Sequence, residues 1–318
     1  MILDIVLVGA GLVLLAKAAD QFVLGAARIA LVMRISAVVV GAVVVGFGTS
    51  APEMLVSAAA AIGGDPEVGI GNVVGSNVAN LTLVLGVAAL ILPIGIASST
   101  LRRETPLMVA SVVLFAWFVQ GGVQWWEAVV LLTALAGALA LLIRQGGGTP
   151  DPELEREVAE YTKRAHMPRL RVEVIRTVGG LVGTVVGAQM LVVGAVSLAD
   201  QAGLSGGFVG FTLVAIGTSL PELVTAVAAA RAGEVDLIVG NLLGSNLFNS
   251  LAVGAILVLA GGAELDAPRL LGVGVIAMIA VALGVWVLMI TNRRIVRWEA
   301  GLLLAVYVGT VALVGPTG

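Results

Sequence analysis

A short polar motif interrupts the apolar sequence twice, at positions 169 residues apart. The first copy reads GTSAPE at residues 48–53, and the second reads GTSLPE at residues 217–222. Another motif, GNVVGSNVAN at 71–80, likewise returns as GNLLGSNLFN. Aligned without a gap, residues 45–80 and 214–249 are identical at 16 of 36 positions, including every polar residue of both motifs. This duplication predicts a chain built from two related halves.

The sequence around the motifs is strongly apolar. Of 318 residues, 59% are hydrophobic and only 12% are charged, and the mean hydropathy is +1.10. Soluble domains carry about 25% charged residues. Apolar runs of about 20 residues recur throughout, which is the length of a helix that crosses a bilayer. The sequence therefore predicts an all-α integral membrane protein with ten transmembrane helices. The predicted spans are 3–27, 37–62, 67–93, 105–120, 125–143, 173–199, 206–230, 236–261, 269–290 and 298–315.

One long polar stretch, residues 144–172, divides the predicted spans into two sets of five. Residues 1–143 form the first five-helix repeat, with its duplicated motifs within 41–86. Residues 173–318 form the second repeat, with its motifs within 210–255. Because each half has an odd number of spans, the second half must enter the membrane from the opposite side. The repeats are thus predicted to be inverted, about a pseudo-two-fold axis in the membrane plane.

The basic residues predict the orientation of the chain. If the N-terminus is outside, 15 of the 17 Lys and Arg residues fall on the cytoplasmic side, and only Lys17 and Arg269 do not. The positive-inside rule therefore places both termini outside and the 144–172 linker in the cytoplasm. We expect a multi-pass protein of the plasma membrane or inner membrane.

The first motif places oxygen atoms at membrane depth. Pro52 cannot donate to the carbonyl four residues earlier, and hydrocarbon offers no water to replace that bond. The freed carbonyls, the hydroxyls of Thr49 and Ser50 and the carboxylate of Glu53 suit a hard cation, which prefers oxygen ligands. A helix-capping box is the structural alternative. Capping contributes about 1 kcal/mol, whereas a transmembrane carboxylate costs at least about 2.5–3.5 kcal/mol, so capping alone does not explain two such residues.

The second motif combines small residues with amides. Gly71 and Gly75 form a face of the GxxxG kind, which allows close approach of another helix. Asn72, Ser76 and Asn80 recur every four residues, so they lie on one helix face. Taken alone, this pattern is more typical of a packing interface. Its duplication in register with the glutamate motif favours an ion site instead.

As a pair, GTSAPE…GNVVGSNVAN and GTSLPE…GNLLGSNLFN resemble the two alpha repeats of the sodium/calcium exchanger family, in its prokaryotic form, within the cation/calcium antiporter superfamily. The resemblance covers essentially the whole chain. It implies secondary antiport of sodium and calcium by alternating access. It also implies a central site formed by the second, third, seventh and eighth spans, across which the first and sixth spans slide.

The resemblance also implies roles for individual residues. Glu53 and Glu222 would be the principal calcium ligands, assisted by the backbone carbonyls of Thr49 and Thr218. The motif serines would contribute mainly to sodium sites. The full set of candidate ligands is Thr49, Ser50, Glu53, Ser76, Asn80, Thr218, Ser219, Glu222, Ser245 and Asn249, with Asn72, Asn241 and Asp20 as accessory candidates. For Asp20 we favour a structural or gating role over direct ligation.

Asn249 departs from one branch of the family. An aspartate at this position is typical of potassium-dependent exchangers, and its repeat partner here is Asn80. The two core glutamates alone would carry a charge of −2, which balances one calcium ion. This favours electrogenic, potassium-independent exchange of sodium for calcium.

Several other functions compete with this interpretation. A proton/calcium or sodium/magnesium antiporter of the same superfamily is the main alternative, and a passive channel is a further one. An intramembrane enzyme is disfavoured because no histidine or lysine lies near either motif. The chain has no cysteine, and His166 is its single histidine. We therefore expect inorganic cations and membrane lipid as partners. We expect no cofactor, no nucleic acid and no obligatory protein partner.

The predicted topology can be tested by cysteine labelling, because the native chain contains no cysteine. A cysteine at Gly147, in the linker, should react with a membrane-impermeant maleimide only from the cytoplasmic side. A cysteine at Gly262 should react only from outside. Labelling of both positions from the same side would contradict the inverted ten-span topology.

Overall fold

The computed structural model describes residues 2–33, 37–62, 66–120, 124–146, 169–201, 215–261 and 270–314. These residues are almost entirely helical. In the first half, the elements are α1 (Ile2–Met33), α2 (Ala37–Val40), α3 (Gly46–Thr49), α4 (Ala51–Ile62), α5 (Pro66–Ala79), α6 (Leu85–Ile91), β1 (Ile94–Gly95), α7 (Ser98–Arg102), α8 (Glu104–Val119) and α9 (Trp125–Gly146). In the second half, they are α10 (Leu170–Gln201), α11 (Ala215–Thr218), α12 (Leu220–Ala232), α13 (Val235–Phe248), α14 (Gly254–Gly261), α15 (Val275–Asn292), β2 (Arg294–Ile295) and α16 (Arg297–Val314). Short π-helical segments occupy Gly41–Val45, Asn80–Val84, Asn249–Val253 and Leu270–Gly274.

Helix covers all or part of each of the ten predicted spans. Residues 206–214 of the predicted seventh span, and residues 147–168 of the linker, lie outside the described residues. Five helical segments of the described part are long and apolar enough to cross a membrane, and a bent pair of helices adds a sixth if the pair forms one span. The five are Gly69–Ile91, Trp125–Arg144, Val235–Ala260, Leu270–Asn292 and Arg297–Val314. The chain is therefore a multi-pass helical membrane protein, while ten crossings and the inverted repeat stay predictions.

Each glutamate motif breaks its helix at the serine. Ser50, with φ of −80° and ψ of 3°, separates α3 from α4, and the segments on either side of it meet at 48°. Ser219, with φ of −86° and ψ of 5°, separates α11 from α12 in the same way. Pro52 and Pro221 then lie in the first turn of the new helix, where their missing N–H has no intrahelical partner to lose.

The third and eighth spans share a second irregularity that the sequence did not predict. Both contain a π-helical segment, Asn80–Val84 and Asn249–Val253, and these segments are 169 residues apart. Each begins at the last asparagine of the second motif. A π turn is rare and occurs frequently at functional sites, because its wider turn re-aims the side chains that it carries.

The two longest helices, α1 and α10, pack against each other with their backbones in close approach. A Cβ built on Gly180 would lie 2.5 Å from the backbone nitrogen of Phe22, and one on Gly187 would lie 2.7 Å from that of Leu15. Glycine at these positions replaces side-chain volume by direct backbone contact, which is how small residues bring membrane helices together. The first and sixth predicted spans are thus closely joined.

A similar contact joins the second span to the eighth. A Cβ on Gly244 of α13 would overlap the carbonyl oxygen of Ala42, and a Cβ on Gly41 would lie 2.7 Å from the carbonyl oxygen of Leu237. The first glutamate motif is therefore held against the second motif of the other half. This contact explains why α13 carries glycine at position 244.

A two-stranded antiparallel pairing also links the halves. Ile94 of β1 is opposite Ile295 of β2, and the backbone N–H of Ile96 donates to the carbonyl of Arg293 at 2.8 Å. The connection after the third span is thereby bonded to the connection after the ninth. Such backbone pairing fixes the relative position of two loops more firmly than side-chain contacts alone.

Gly244→Ala should destabilise the fold, because the added methyl group has no room beside Ala42. Overpacking of this kind typically costs about 1–3 kcal/mol, so we expect a lower midpoint of thermal unfolding in detergent. Gly284→Ala is the matched control, since a Cβ at this exposed position meets no atom within 4 Å. An alanine favours helix over glycine by about 1 kcal/mol, so the control should not lower the midpoint. An unchanged midpoint for Gly244→Ala would contradict the packing described for α13.

Candidate functional site

Two fully buried carboxylates define the site. The side chains of Glu53, in α4, and Glu222, in α12, are both 0% exposed. Each lies three residues after its helix break, so both face the region where helical hydrogen bonding is interrupted. An ionised carboxylate in such a place is strongly unfavourable unless it has partners. The contacts of these two groups therefore determine what the site can bind.

Each carboxylate receives a hydrogen bond from the serine at the opposite break. Ser50 Oγ donates to Glu222 Oε1 at 3.4 Å, and Ser219 Oγ donates to Glu53 Oε1 at 3.4 Å. The two contacts are equivalent under the 169-residue repeat. The breaks of the two halves thus face one another, and each half supplies a donor to the glutamate of the other.

The threonines of the glutamate motifs also form hydrogen bonds between the halves, in this case to the amides of the second motif. Thr49 Oγ1 donates to Asn241 Oδ1 at 3.2 Å, and Thr218 Oγ1 donates to Asn72 Oδ1 at 3.2 Å. Both bonds again cross from one half to the other. The four motifs consequently form a single polar cluster between the halves.

Two hydroxyl groups outside the motifs orient these amides. Asn72 Nδ2 donates to Ser57 Oγ at 2.9 Å, and Asn241 Nδ2 donates to Thr225 Oγ1 at 3.4 Å. With the amide nitrogen held in this way, the amide oxygen points to the threonine. The sequence did not identify these hydroxyls, because they come from positions that the repeat alignment does not equate.

The serines of the second motif do not follow the repeat. Ser76 Oγ donates to Glu53 Oε1 at 3.5 Å. Its repeat partner Ser245 instead lies 3.3 Å from Thr49 Oγ1 and donates to the carbonyl oxygen of Gly46 at 3.4 Å. Equivalent residues of the two halves therefore have different partners, and the hydrogen bonding of the cluster is asymmetric.

The remaining asparagines of the second motif lie at the start of the π-helical segments or three residues before it. Asn80 Nδ2 donates to Asn246 Oδ1 at 3.0 Å, and Asn246 Nδ2 donates to the backbone oxygen of Asn77 at 3.3 Å. Asn249 is fully buried, and its side chain has no hydrogen-bond partner in the described part of the chain. Asn77 and Asn246 were missing from the candidate ligands, although their recurrence in both copies of the motif was a usable signal.

Five buried side-chain oxygens in this cluster have no hydrogen-bond partner among the described residues. They are Oε2 of Glu53, Oε2 of Glu222 and Oδ1 of Asn77, Asn80 and Asn249. A buried acceptor without a partner costs about 1–3 kcal/mol, so five in one cluster require an explanation. A hard cation is suited to carboxylate and amide oxygens and would satisfy several of them together.

Glu53 and Glu222 are the ionisable side chains of the cluster. Neither glutamate forms a salt bridge within the described residues, where the recorded ion pairs join Glu173 to Arg28 and Arg176. The same part of the chain holds no group of three or more His, Cys, Asp or Glu placed to bind a metal. Beyond the two carboxylates, the oxygens of the cluster therefore come from neutral side chains and backbone.

The candidate ligands within the two duplicated motifs are all buried. They are Thr49, Ser50, Glu53, Asn72, Ser76, Asn80, Thr218, Ser219, Glu222, Asn241, Ser245 and Asn249. Asp20 differs, because it is exposed on α1, and the structure records no bond from its side chain to this cluster in the part it describes. The geometry thus brings together the motif residues and leaves Asp20 apart.

Comparison with known proteins gives a consistent result. The family model described as sodium/calcium exchanger protein matches residues 3–144 and 173–315. The sodium/calcium exchanger MaX1 of Methanosarcina acetivorans is 30% identical over 343 residues, with 94% of each chain covered. The inner membrane protein YrbG of Escherichia coli is 35% identical, with 84% of this chain and 82% of that protein covered.

A solved structure has the same architecture. The sodium-calcium exchanger NCX_Mj, soaked with 10 mM Na⁺ and 10 mM Sr²⁺, superposes with a TM-score of 0.86 at 32% sequence identity, and 98% of each chain is covered. Its family consists of transporters and not enzymes. The family match over both halves and the likeness of the fold agree with the reciprocal polar cluster, and the chain is a member of the sodium/calcium exchanger family.

Proposed function

We propose that the protein exchanges sodium for calcium by alternating access, with the ions bound between the two helix breaks. The observation that carries the proposal is the reciprocal contact of two buried glutamates with the serines of the opposite half. One divalent ion between Glu53 and Glu222 would balance both carboxylates. Calcium takes about 6–8 oxygen ligands, often including carboxylates, and the cluster offers carboxylate, hydroxyl and amide oxygens. The solved relative soaked with Na⁺ and Sr²⁺ supports a site for both monovalent and divalent cations.

Sodium ions would use the neutral oxygens around the carboxylates. Ser76 and Ser245 supply hydroxyls, and Asn80 and Asn249 supply amides, so these ligands add no charge to the site. Several monovalent ions can then replace one divalent ion against the same two carboxylates. If three sodium ions exchange for one calcium ion, as the resemblance implies, one positive charge crosses the membrane in each cycle. Transport would therefore be electrogenic, and it would not require potassium.

Alternating access requires one body to move against another. The close backbone contacts at Gly180 and Gly187 support treating α1 and α10 as one body. The contacts of Gly41 and Gly244, together with the pairing of β1 with β2, support treating the helices around the site as the other. We place the moving boundary between these two bodies, so that the ions stay at a fixed depth while their access changes.

We further propose that the linker at 144–172 is cytoplasmic and that both termini are outside. This orientation is supported by the distribution of basic residues in the sequence. The protein would lie in the plasma membrane or inner membrane. It would work without a cofactor or an obligatory protein partner, because the site that we describe needs only its own two halves and the transported ions.

Removal of either carboxylate should abolish most calcium transport. We expect Glu53→Gln and Glu222→Gln each to lower sodium-driven calcium uptake into proteoliposomes by about tenfold or more, which corresponds to about 1.4 kcal/mol or more of lost stabilisation. The reason is that each substitution removes half of the charge that faces a divalent ion in a poorly screened environment.

Glu127→Gln is the matched control for these variants. Glu127 is also buried, but it accepts a hydrogen bond from the backbone N–H of Gln124 at the start of α9, far from the motifs in sequence. Glutamine can replace it in a capping box, so calcium uptake should stay near that of the wild type. Uptake that persists in either site variant at matched protein density would refute the site assignment.

The coupling can be tested in the same vesicles. A potential of 100 mV should bias the calcium distribution by roughly 2.3 kcal/mol if one net charge moves in each cycle. We therefore expect calcium flux driven by a sodium gradient to follow a potential set by valinomycin and potassium, and to persist when another ionophore sets the potential without potassium. Flux that ignores the potential would refute electrogenic exchange, and flux that requires potassium would refute the interpretation of Asn249. Parallel assays with a pH gradient or with magnesium distinguish the proton/calcium and sodium/magnesium alternatives.

A further inference from the structure

Four asparagines of the second motif, two from each half, form two pairs under the 169-residue repeat. Asn77 corresponds to Asn246, and Asn80 corresponds to Asn249. All four side chains are at most 1% exposed. Buried amides are nearly always hydrogen-bonded, so the partners of these four show how the two halves meet at this point.

The hydrogen bonds of these asparagines use only one side of the repeat symmetry. Asn80 Nδ2 donates to Asn246 Oδ1 at 3.0 Å, and Asn246 Nδ2 donates to the backbone oxygen of Asn77 at 3.3 Å. Asn77 Nδ2 instead donates to the carbonyl oxygen of Val73, in its own helix, at 2.9 Å. The symmetric counterparts would run from Asn249 to Asn77 and from Asn77 to the backbone of Asn246. Neither is formed in the part of the chain that the structure describes.

The two groups that the first of these counterparts would join both lack a partner. Among the described residues, Asn249 Nδ2 is a buried donor without an acceptor, and Asn77 Oδ1 is a buried acceptor without a donor. A cation attracts the oxygen of an amide and not its N–H groups, so ion binding does not explain Asn249 Nδ2. By the repeat, Asn77 Oδ1 is the acceptor that corresponds to Asn246 Oδ1. Donor and acceptor therefore match in type and in motif position.

We infer that Asn246 and Asn77 are positioning residues that act alternately on the asparagines of the ion site. Asn246 holds the amide of Asn80 in the conformation described here. Asn77 accepts the hydrogen bond of Asn249 in the conformation with the opposite access, while the bond between Asn80 and Asn246 opens. When two halves are related by an axis in the membrane plane, exchanging their conformations turns access from one side to the other. The inference rests on the alternating access proposed above.

Each of the two bonds leaves an amide oxygen free to bind the transported ion. Asn80 donates through Nδ2, and its Oδ1 has no hydrogen-bond partner among the described residues. Asn249 would present its own Oδ1 in the same way once Asn77 accepts its Nδ2. The neutral ligand that is held in place therefore changes from one half to the other in each cycle. Because one neutral hydrogen bond replaces another, the two conformations stay close in free energy, as a reversible carrier requires.

The test measures how substitutions shift the ratio of the two conformations. Asn246→Leu removes the acceptor of the bond described here, and Asn77→Leu removes the acceptor of its counterpart. Leucine is close to asparagine in size and forms no side-chain hydrogen bond. We expect the two variants to shift the ratio about fivefold in opposite directions, the effect of about one neutral hydrogen bond. The double variant should return to nearly the ratio of the wild type.

The ratio can be read from the distance between two spin labels, measured by pulsed electron paramagnetic resonance on the intact, purified protein. The labels are attached through Val178→Cys in α10 and Val287→Cys in α15. These positions are 54% and 60% exposed, and they lie on the two bodies of the proposed mechanism. The native chain has no cysteine, so no other position is labelled.

Asn292→Leu is the matched control. Asn292 Nδ2 donates to Glu299 Oε1 at 3.1 Å, and both residues belong to the second half. This variant loses an amide hydrogen bond of the same kind that does not join the halves, so its ratio should equal that of the wild type. If a leucine variant elutes differently from the wild type in size-exclusion chromatography, Asn77→Ala and Asn246→Ala provide the same comparison.

The outcomes separate this inference from the proposed function. Equal ratios in Asn77→Leu and Asn246→Leu, or shifts in the same direction, are what a merely structural role would give, and they would overturn the inference. Sodium-driven calcium uptake by the wild type decides the proposed exchange separately. A single label distance in every variant, with or without sodium and calcium, would refute the moving boundary and the alternating hydrogen bonds with it.

Discussion

Two buried carboxylates that face each other across the halves are the constraint on which the rest of the structure depends. Like charges in a poorly screened interior repel strongly, and the described residues place no cationic side chain in a salt bridge with Glu53 or Glu222. Neutral donors hold them instead, chiefly Ser50 and Ser219 from the opposite half. The helix breaks put those donors in reach, and glycine at position 244 lets the helices come close enough. The helix breaks, the buried donors and the close helix approach would each cost free energy without compensation if the two carboxyl groups were absent.

The sequence predicted those parts of the structure that local chemistry determines. Proline removes a helical hydrogen bond from the preceding turn and glycine is a weak helix former, so the motifs alone indicated where the helices before Glu53 and Glu222 would be interrupted. The apolar runs likewise located the helices. The partners of each side chain could not be predicted, because the bond from Ser50 to Glu222 joins residues 172 positions apart. The hydroxyls of Ser57 and Thr225 were missed for a related reason, since they meet equivalent asparagines from unequal positions in the two repeats.

The departures from symmetry show how far a shared sequence constrains two halves. Ser76 and Ser245 occupy the same motif position, yet one bonds to a carboxylate and the other to a threonine and a backbone carbonyl. The π-helical segments, in contrast, recur at equivalent positions in both halves. In the third and eighth spans the backbone irregularity is therefore more symmetric than the side-chain hydrogen bonds, which respond to neighbours that differ between the halves. A binding site built in this way offers a cation two unequal sides.

The hydrogen bonds that each half's serine donates to the other half's glutamate bear on how such a chain could arise. One half alone would leave its glutamate without the hydroxyl that the other half donates, and its threonine without the amide that it meets across the interface. A polypeptide of half this length would therefore have built the cluster only by association with a second copy of itself. Joining two copies in one chain turns that encounter, which depends on concentration, into a permanent one. It also frees each copy to acquire its own substitutions, of which Ser57 and Thr225 are an example.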